Sequence, residues 1–472
     1  MSHLNKVLYC CISITTLLIL SLAAKAETLP VDLKVIDVPI NYSLGLAFPS
    51  GNVYNYPVVK DAGIGTVRIT ASWGKIQPEE GTFEWQGMDA RIKALQQLNL
   101  KPFITFESNA PWATHPDTHH IRNGAPLDLN QWITFVEAVV ERYNFDGYSD
   151  APELEAPVEY YQVANEWISD QNKSGGWASS TEYLIDHINA TYNAVKRFDS
   201  DATFVLGGIA AFNLDVLLLA EGIESFTVQQ RWGTFSSTTM DYEDTQTEYI
   251  QGIINHHFRE VLFHSQYDYA DAHLYGPQER DKSRIDILAE ETNLSTDKII
   301  SAECGGPSLD YEDNYSDENH FHAVIDRNLN ILASGAKFCL WFGLGEAMST
   351  TWGNQKVPLF DKNNQAKPGY YAYKLLAYLF DGQESIHVEV LTDLSSPAFK
   401  ISFPTNPDKA DIYIGLPSTQ SELIAKSGES SFDLLCINAL NSEGFITIGA
   451  TNYVTCNHSV IALGAKLPSM YE

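Results

Sequence analysis

Three scarcities in this sequence each exclude a class of protein. After the first 26 residues no apolar run is long enough to span a bilayer, which excludes a multi-span membrane protein. Basic residues are few, because 30 Lys and Arg stand against 60 Asp and Glu, a formal net charge of −30. Such a surface repels nucleic acid and anionic membranes, so neither is expected as a partner. Cysteines number six, and none shows the spacing of a zinc site.

The first 26 residues have the composition of a secretory signal. Lys6 lies in a short polar start, residues 7–23 are mostly apolar, and Ala24-Lys25-Ala26 fits a small-residue cleavage site. An uncleaved membrane anchor is the alternative, but the apolar run is short for a spanning helix and contains several hydroxyl side chains. We therefore predict a signal peptide over residues 1–26 and a secreted or periplasmic mature chain that has no membrane contact.

Export would permit disulfides. Cleavage would remove Cys10 and Cys11 and leave Cys304, Cys339, Cys436 and Cys456. Cys436 and Cys456 lie on neighbouring strand-like runs and could pair. For Cys304 and Cys339 the pairing stays open, because their strands should be neighbours but their side chains could face opposite ways.

From Asn41 onward, strand-like runs alternate with helical ones, the pattern of a parallel sheet built from βα units. Helical spacing is clear in 181–197, where Leu184, Ile188 and Val195 share one face. The predicted strands are residues 42–48, 66–70, 102–107, 160–164, 203–209, 269–275, 298–302 and 337–342. Eight strands in this rhythm predict an α/β protein with a (β/α)8 TIM barrel over residues 27–381.

After Gly382 the pattern changes to short alternating runs that turn residues separate, and no helix is predicted there. The runs are residues 386–391, 399–403, 411–414, 432–437, 445–448 and 460–463. This pattern predicts a small β-sandwich accessory domain over residues 382–472.

Reactive side chains gather at the predicted strand ends. They are Arg68 on the second strand, Glu107 ending the third, Asn165 and Glu166 ending the fourth, His273 and Tyr275 ending the sixth, and Glu303 ending the seventh. TIM barrels place their chemistry at this face. Glu166 and Glu303 would face each other across the mouth, as the two carboxyl groups that cleave a glycosidic bond must. Glu107 is expected to be structural or a distal substrate contact.

The two carboxyl groups need different environments. The acid/base must start protonated, which the apolar neighbour Trp167 and the charge of the other carboxylate would favour in Glu166. The nucleophile must be ionised, which the positive charge of Arg68 or a hydrogen bond from Tyr275 would favour in Glu303.

The chain resembles the glycoside hydrolases of clan A over about residues 41–380. Asn165-Glu166 matches the acid/base motif of that clan, Ser301-Ala302-Glu303 matches the setting of its nucleophile, and residues 73–85 resemble its run after strand two. A barrel followed by a small β-sandwich is closest in layout to family 39, with families 5 and 42 as alternatives. The resemblance implies a retaining glycosidase with Glu166 as acid/base and Glu303 as nucleophile. From the residues, neither a metal nor a cofactor is expected.

The same resemblance implies roles for the neighbouring side chains. Asn165 would bind the sugar 2-hydroxyl, Arg68 and Tyr275 would orient Glu303, and Trp341 would stack under the sugar. The predicted substrate-binding set is completed by His273, Trp112 and Trp167. Tryptophans in other predicted loops, Trp177, Trp232 and Trp352, favour a row of subsites for a β-linked oligo- or polysaccharide.

Two other functions stay open. One is a catalytically inactive, carbohydrate-binding barrel, against which the presence of both carboxyl groups argues. The other is a hydrolase of a different bond, since a barrel does not determine its chemistry. Neither a Ser-His-Asp elbow nor an HExxH run is present to support it. Sugar identity, endo or exo action and oligomeric state also stay open.

Overall fold

The computed structural model describes residues 30–32, 36–49, 51–232, 236–308, 311, 315–345, 357–428, 433–437, 445–450 and 460–464. At 30–32, 230–232, 236–237, 433–437 and 445–450 only the backbone is described. The predicted signal segment, Trp352 and Cys456 lie outside the described residues, as does the side chain of Trp232.

Eight parallel strands close into a barrel. In chain order they are β1 (Asn41–Ala47), β2 (Ile64–Ser72), β3 (Lys101–Glu107), β4 (Tyr160–Val163), β5 (Thr203–Ile209), β6 (Tyr269–Ala272), β7 (Ile299–Cys304) and β8 (Cys339–Phe342). Each strand pairs with its neighbours in the chain, and β8 pairs with β1 to complete the ring. The predicted (β/α)8 fold is thereby confirmed, and all eight strands end at one face.

Helices surround the barrel. The longer ones are α1 (Tyr56–Asp61), α2 (Gln86–Gln96), α3 (Leu129–Tyr143), α4 (Thr181–Phe198), α5 (Ala211–Ala220), α6 (Glu248–Ile253, a π-helical turn at Ile254–Phe258, and Arg259–His264), α7 (Asp281–Thr292), α8 (Asp317–Ala333) and α9 (Pro368–Phe380). The sequence pattern does not predict α1 and α5. The first is too short to show a period, and the second is buried on most sides, so its apolar residues mark no single face.

A hairpin lies between α5 and α6. It pairs Val228–Trp232 with Ser236–Met240, inside a segment that the sequence marks only as long, polar and aromatic.

The barrel interior has an apolar layer below a polar one. Alternate strand residues form the apolar layer, which contains Ala47, Phe103, Tyr160, Val205, Ile300, Ala302, Phe338 and Leu340. Nearer the strand ends, the inward positions are polar and buried, namely Arg68, Thr105, Gln162 and Asp271. This polar layer lies directly beneath the face where the strands end.

The strands after the barrel form an antiparallel sheet. They are β9 (His387–Leu391), β10 (Ala398–Ser402), β11 (Ile412–Gly415), β12 (Asp433–Ile437), β13 (Phe445–Ala450) and β14 (Val460–Leu463). A strand near the N-terminus, Pro30–Asp32, pairs with β13 and brings the sheet to seven strands. Within the described residues these strands form one sheet, and the second layer of a β-sandwich stays a prediction.

One helix in this part is missed by the sequence pattern. It is α10 (Gln420–Ser427), whose eight residues give little more than two turns and bury only Leu423. The expectation that no helix follows Gly382 is therefore wrong, because so short a helix with one buried residue shows no clear period.

Cys304 and Cys339 form a disulfide that joins β7 to β8. A β-bulge makes this bond possible. Ser301 pairs with Cys339 and Cys304 pairs with Trp341, so β7 has two residues between these pairs where β8 has one. The extra residue brings the two cysteines to the same side. The suggested pairing of Cys436 with Cys456 stays a prediction, because Cys456 lies outside the described residues.

Among the described residues, no helix combines the length and the apolar character that crossing a bilayer requires.

Candidate active site

Two glutamates meet where the barrel strands end. Glu303 lies near the end of β7, and Glu166 lies just after β4. One carboxylate oxygen of each and a ring nitrogen of His273 all lie within 4.8 Å of one another. The side chains of Glu303 and Glu166 are 13% and 18% exposed, whereas that of His273 is fully buried. The barrel therefore brings the two predicted carboxyl groups together at an open face.

Glu303 is held by a cation and a phenol. Arg68 Nη1 donates to Glu303 Oε2 across 2.9 Å, and the Tyr275 hydroxyl donates to Oε1 across 3.0 Å. Burial, followed by the negative charges of Glu303 and Glu166, raises the pKa of Tyr275 well above its usual value, so the phenol remains a donor. Both oxygens of Glu303 therefore accept hydrogen bonds, which hold the carboxylate in one orientation.

Arg68 joins three strands through one buried guanidinium. Besides Glu303 on β7, it donates through Nη2 to Asn165 Oδ1 across 2.6 Å and through Nε to Thr105 Oγ1 across 2.7 Å. The other end of the Asn165 amide donates to Ser174 O across 3.2 Å. Predicted orienting roles for Arg68 and Tyr275 fit these contacts, since both side chains touch the carboxylate they were expected to orient.

A buried hydrogen-bond chain continues beneath the site. Thr105 Oγ1 donates to Gln162 Oε1 across 2.8 Å, and Gln162 Nε2 donates to Asp271 Oδ2 across 2.6 Å. The other oxygen of Asp271 accepts the backbone N–H of Ala302 across 2.7 Å. Burial alone would raise the pKa of Asp271, but the positive charges of His273 and Arg68 lower it. Asp271 is therefore a fixed negative charge under the two glutamates.

His273 lies among three carboxylates. Its Nδ1 is 2.9 Å from Glu166 Oε1 and 3.9 Å from Glu303 Oε2. On the other side of the ring, Nε2 is 3.2 Å from Asp271 Oδ2 but is not aligned for a hydrogen bond. Burial disfavours the charged ring, yet Glu303, Asp271 and Glu166 outweigh burial and raise the pKa of His273 to about 10. The ring is thus an imidazolium at neutral pH.

The pKa of Glu166 shifts against the sequence expectation. Burial would raise it, but the hydrogen bond and charge of His273, the hydrogen bond from Asn172 Nδ2 and the charge of Arg68 together lower it. The raised pKa expected from the sequence rested on Trp167 and on the charge of the other carboxylate, and it did not include these donors and positive charges. Asn172 lies in the loop after β4, and sequence spacing alone gives no signal for its contact with Glu166.

Trp167 faces away from the mouth. Its indole is fully buried, stacks on Phe258 of α6 and donates to Gly207 O across 2.9 Å. As a correction to its predicted role, this ring offers no face to a sugar. Its hydrogen bond instead ties the residue after Glu166 to Gly207 on the neighbouring strand β5, and so anchors the turn that carries Glu166.

Two glycines of β5 make room for the turn. Glu166 has a left-handed backbone with φ of 46°, and its N–H donates to Gly208 O across 2.9 Å. A Cβ on Gly208 would lie 2.3 Å from His273 Nε2, and one on Gly207 would lie 2.6 Å from Val163 O. Our reading of the sequence missed this pair. Adjacent glycines inside a strand signal a close approach and could have identified it.

The other two predicted tryptophans also pack elsewhere. Trp341 is fully buried and donates to Val357 O across 2.8 Å, with Tyr373 of α9 beside it. It therefore lies between β8 and the helices, which corrects its predicted place under the sugar. Trp112 is half-buried and donates to Gln77 O across 2.8 Å, so it holds two loops together.

Phe342 and Phe48 are partly buried aromatic residues close to Tyr275 and Arg68. Phe342 packs with the interior cluster, its ring centroid lies 5.2 Å from that of Phe48, and Tyr275 lies 6.5 Å away. Phe48 also lies beneath the Arg68 guanidinium at 5.6 Å. Because side chains alternate along a strand, Trp341 points toward the helices and the next residue, Phe342, points into the barrel.

The remaining predicted loop residues lie at the rim or in the core. Glu107 pairs with Arg122 across 3.1 Å, outside the set that contacts the two catalytic candidates. Trp177 is buried beside His187, so it packs a loop against α4.

Glu166, His273 and Glu303 form a group whose geometry would admit a metal ion, the one such group among the described residues. Their other partners favour a proton network instead. Arg68 already places a cation 2.9 Å from Glu303, and a metal would have to displace the proton from a ring whose pKa is about 10.

Comparison with known proteins supports the fold. No family model and no curated protein matches this chain. A family 39 β-xylosidase from Caulobacter crescentus is 12% identical, with 92% of this chain and 98% of that chain covered at a TM-score of 0.52. A glucosidase from Croceicoccus marinus is 12% identical, with 90% and 96% covered at a TM-score of 0.53.

A third solved structure is a family 39 glycoside hydrolase from Bacteroides cellulosilyticus WH2. It is 13% identical, with 91% of this chain and 81% of that chain covered at a TM-score of 0.50. Similarities at this identity show the fold alone. At that level they show that the chain shares its fold with solved family 39 glycoside hydrolases, in line with the layout expected from the sequence.

Proposed function

We propose that this chain is a retaining glycoside hydrolase that cleaves a β-linked glycoside, with Glu303 as nucleophile and Glu166 as acid/base. The observation that carries the proposal is the separation of the two carboxylates, which approach within 4.8 Å. Retaining enzymes hold their carboxyl groups about 5–5.5 Å apart, whereas inverting enzymes need about 6.5–9.5 Å to admit a water molecule.

The contacts suit a double displacement. A Glu303 oxygen attacks the anomeric carbon while the glycosidic bond breaks, and the leaving oxygen takes a proton from Glu166. Glu166 then removes a proton from water, whose oxygen displaces Glu303. Hydrogen bonds from Arg68 and Tyr275 aim the Glu303 carboxylate before the first step.

The proton for the leaving group is held by a pair of side chains. Glu166 alone is too acidic to hold it, but His273 is protonated and its Nδ1 lies 2.9 Å from Glu166 Oε1. Transfer of that proton to Glu166 gives the neutral acid without any change in the charge of the pair. Its site between Glu303 and Asp271 keeps the ring charged until the leaving group draws the proton away.

Several observations support export and a sugar substrate. A disulfide at Cys304–Cys339 suits an oxidising compartment, in line with the signal-like first 26 residues. Phe48 and Phe342 supply apolar ring surface beside the carboxylates. The similar solved structures are named as a xylosidase and a glucosidase, which makes β-xylosides and β-glucosides the first substrates to try.

A panel of aryl glycosides and polysaccharides tests the proposal on the mature protein, Glu303→Gln and Glu166→Ala in parallel. Wild type should turn over at least one substrate with retention at the anomeric carbon. Glu303→Gln should lose roughly a thousandfold or more in kcat. Glu166→Ala should keep activity on aryl glycosides whose leaving group needs no proton, and azide should restore part of its turnover.

Three results would contradict the proposal. Inversion at the anomeric carbon would reject the double displacement. Equal turnover by wild type and Glu303→Gln would reject the nucleophile. Binding of a glycan by both proteins without turnover would favour the inactive, carbohydrate-binding barrel.

A further inference from the structure

Strand β7 presents two consecutive residues to the inside of the barrel. Ile300 and Ala302 belong to the interior cluster, so regular alternation would turn Glu303 outward and Cys304 inward. The structure has the reverse arrangement. Glu303 contacts Arg68 inside the mouth, and Cys304 bonds to Cys339 outside it.

The β-bulge of β7 produces this reversal. Between the pairs Ser301–Cys339 and Cys304–Trp341, β7 holds one residue more than β8. Bulges of this kind re-aim one side chain and leave part of the ladder unpaired. Here the re-aimed side chain is Glu303, and the weakened ladder is the one that should hold it.

We propose that the Cys304–Cys339 disulfide positions Glu303 by locking this bulge. A slip of one residue would restore regular alternation, turn Glu303 outward and bring Cys304 inside. The bond to Cys339, whose side chain lies outside the barrel, forbids that slip. Both cysteines are buried, so the bond acts within the core beside the site.

On the opposite edge, two backbone hydrogen bonds join this part of β7 to the chain just after β6. Leu274 N–H donates to Glu303 O across 2.9 Å, and Gly305 N–H donates to Leu274 O across 3.1 Å. These bonds hold the chain but do not decide which side chain faces inward. The disulfide determines which side chain faces inward, because it attaches Cys304, the residue directly after Glu303, to the outer side of β8.

The inference rests on the proposed role of Glu303 as nucleophile, and the full mature chain with C304A/C339A tests it. Without the bond, Glu303 should leave its contact with Arg68 for part of the time. We expect kcat on an aryl glycoside to fall roughly tenfold or more, with a smaller change in KM, because misplacement of a reacting group lowers turnover. A crystal structure should show the carboxylate of Glu303 displaced from Arg68 and Tyr275.

A matched control separates positioning from general stability. Leu95→Ala removes a fully buried side chain of α2, a helix that makes none of the site contacts. It should lower the melting temperature as well, yet keep kcat within about twofold of wild type. The double variant should lose activity at temperatures where both variants are fully folded.

Opposite outcomes overturn the inference. If C304A/C339A keeps wild-type kcat and its crystal structure keeps the contacts of Glu303 with Arg68 and Tyr275, the disulfide only stabilises the fold. If wild type itself turns over no glycoside, the proposed function fails, and the crystal structure of the double variant still decides whether the bond aims Glu303.

Discussion

His273 illustrates how neighbours set the state of a single buried side chain. In water its ring would be neutral above about pH 6.5, but here three carboxylates surround it. They raise its pKa to about 10 even though burial acts in the opposite direction. The charge of this ring in turn lowers the pKa of both Glu166 and Asp271. The protonation states of His273, Glu166 and Asp271 therefore depend on one another.

A pH dependence of stability follows for His273. Its folded-state pKa lies above the unfolded value of 6.5, so its contribution is fully present below about pH 6.5 and is lost as pH rises through about 10. Urea unfolding of wild type and His273→Gln should show a stability difference that shrinks by roughly a few kcal/mol across that window. A difference that stays constant or grows with pH would contradict the imidazolium.

Gly208 provides a second test at this scale. Gly208→Ala would place a Cβ 2.3 Å from His273 Nε2, so the ring must move from its present position beside Glu166 and Asp271. We expect kcat to fall roughly tenfold to a hundredfold and stability to fall by about 1–3 kcal/mol. Both are measured by steady-state kinetics and urea unfolding.

The matched control for that test is Gly87→Ala. Gly87 lies in α2, and a Cβ there would meet nothing within 4 Å. It should leave kcat unchanged and add about 0.5–1 kcal/mol of stability, because alanine favours a helix. Equal kinetic effects of the two alanines would show that the space around His273 is not limiting.

At the scale of elements, two buried arginines hold the ends of β6 and β7. Arg284 of α7 donates to Tyr275 O across 2.8 Å, and Arg327 of α8 donates to Gly276 O across 2.6 Å and to Gly305 O across 3.2 Å. Asp281 pairs with both arginines inside the protein. Helices α7 and α8 are thereby hydrogen-bonded to the backbone beside Tyr275, whose hydroxyl contacts Glu303.

Breaking this buried network should be costly. Arg327→Met would leave Asp281 short of a partner, and we expect a loss of about 3–5 kcal/mol in the free energy of unfolding. The control is Lys93→Met, whose pair with Glu153 is 36% and 65% exposed and should matter by about 0–1 kcal/mol. Urea unfolding measures both, and similar small losses would show that the buried pair is dispensable.

At the scale of the whole molecule, the barrel and the C-terminal sheet share one apolar core. Phe399 and Ile401 of β10 belong to the same buried cluster as Phe380 of α9. Asn41 at the start of β1 donates to Gln383 O across 2.8 Å. The strand Pro30–Asp32 also pairs with β13, so the chain enters the sheet before it enters the barrel.

Shared packing predicts cooperative unfolding. Calorimetry on the mature chain should show one transition, and a chain truncated after residue 381 should aggregate or melt at a lower temperature. The reason is that truncation uncovers the part of the cluster that Val388, Phe399 and Ile401 now cover. Two separate transitions, or a truncated barrel as stable as the full chain, would contradict this expectation.

Sequence patterns alone were sufficient to predict the barrel and the meeting of Glu166 and Glu303 at its mouth. Periods of two and of 3.6 residues reflect burial on one face, which each element imposes locally. Glu166 and Glu303 were identifiable because each ends a strand, and parallel strands end at one face.

Tertiary structure decided which of two adjacent residues faces the site. Phe342 rather than Trp341 lines the mouth, and the bulge of β7 sends Glu303 inward and Cys304 outward. A register shift of one residue moves each side chain to the other face of the strand. Register in turn depends on pairing with strands that are distant in sequence. The low pKa of Glu166 was hidden for the same reason, because His273 is 107 residues away along the chain. The sequence by itself determined the features that repeat locally, namely the strands and most of the helices. Only the tertiary structure decided which side chains that are distant in sequence come into contact.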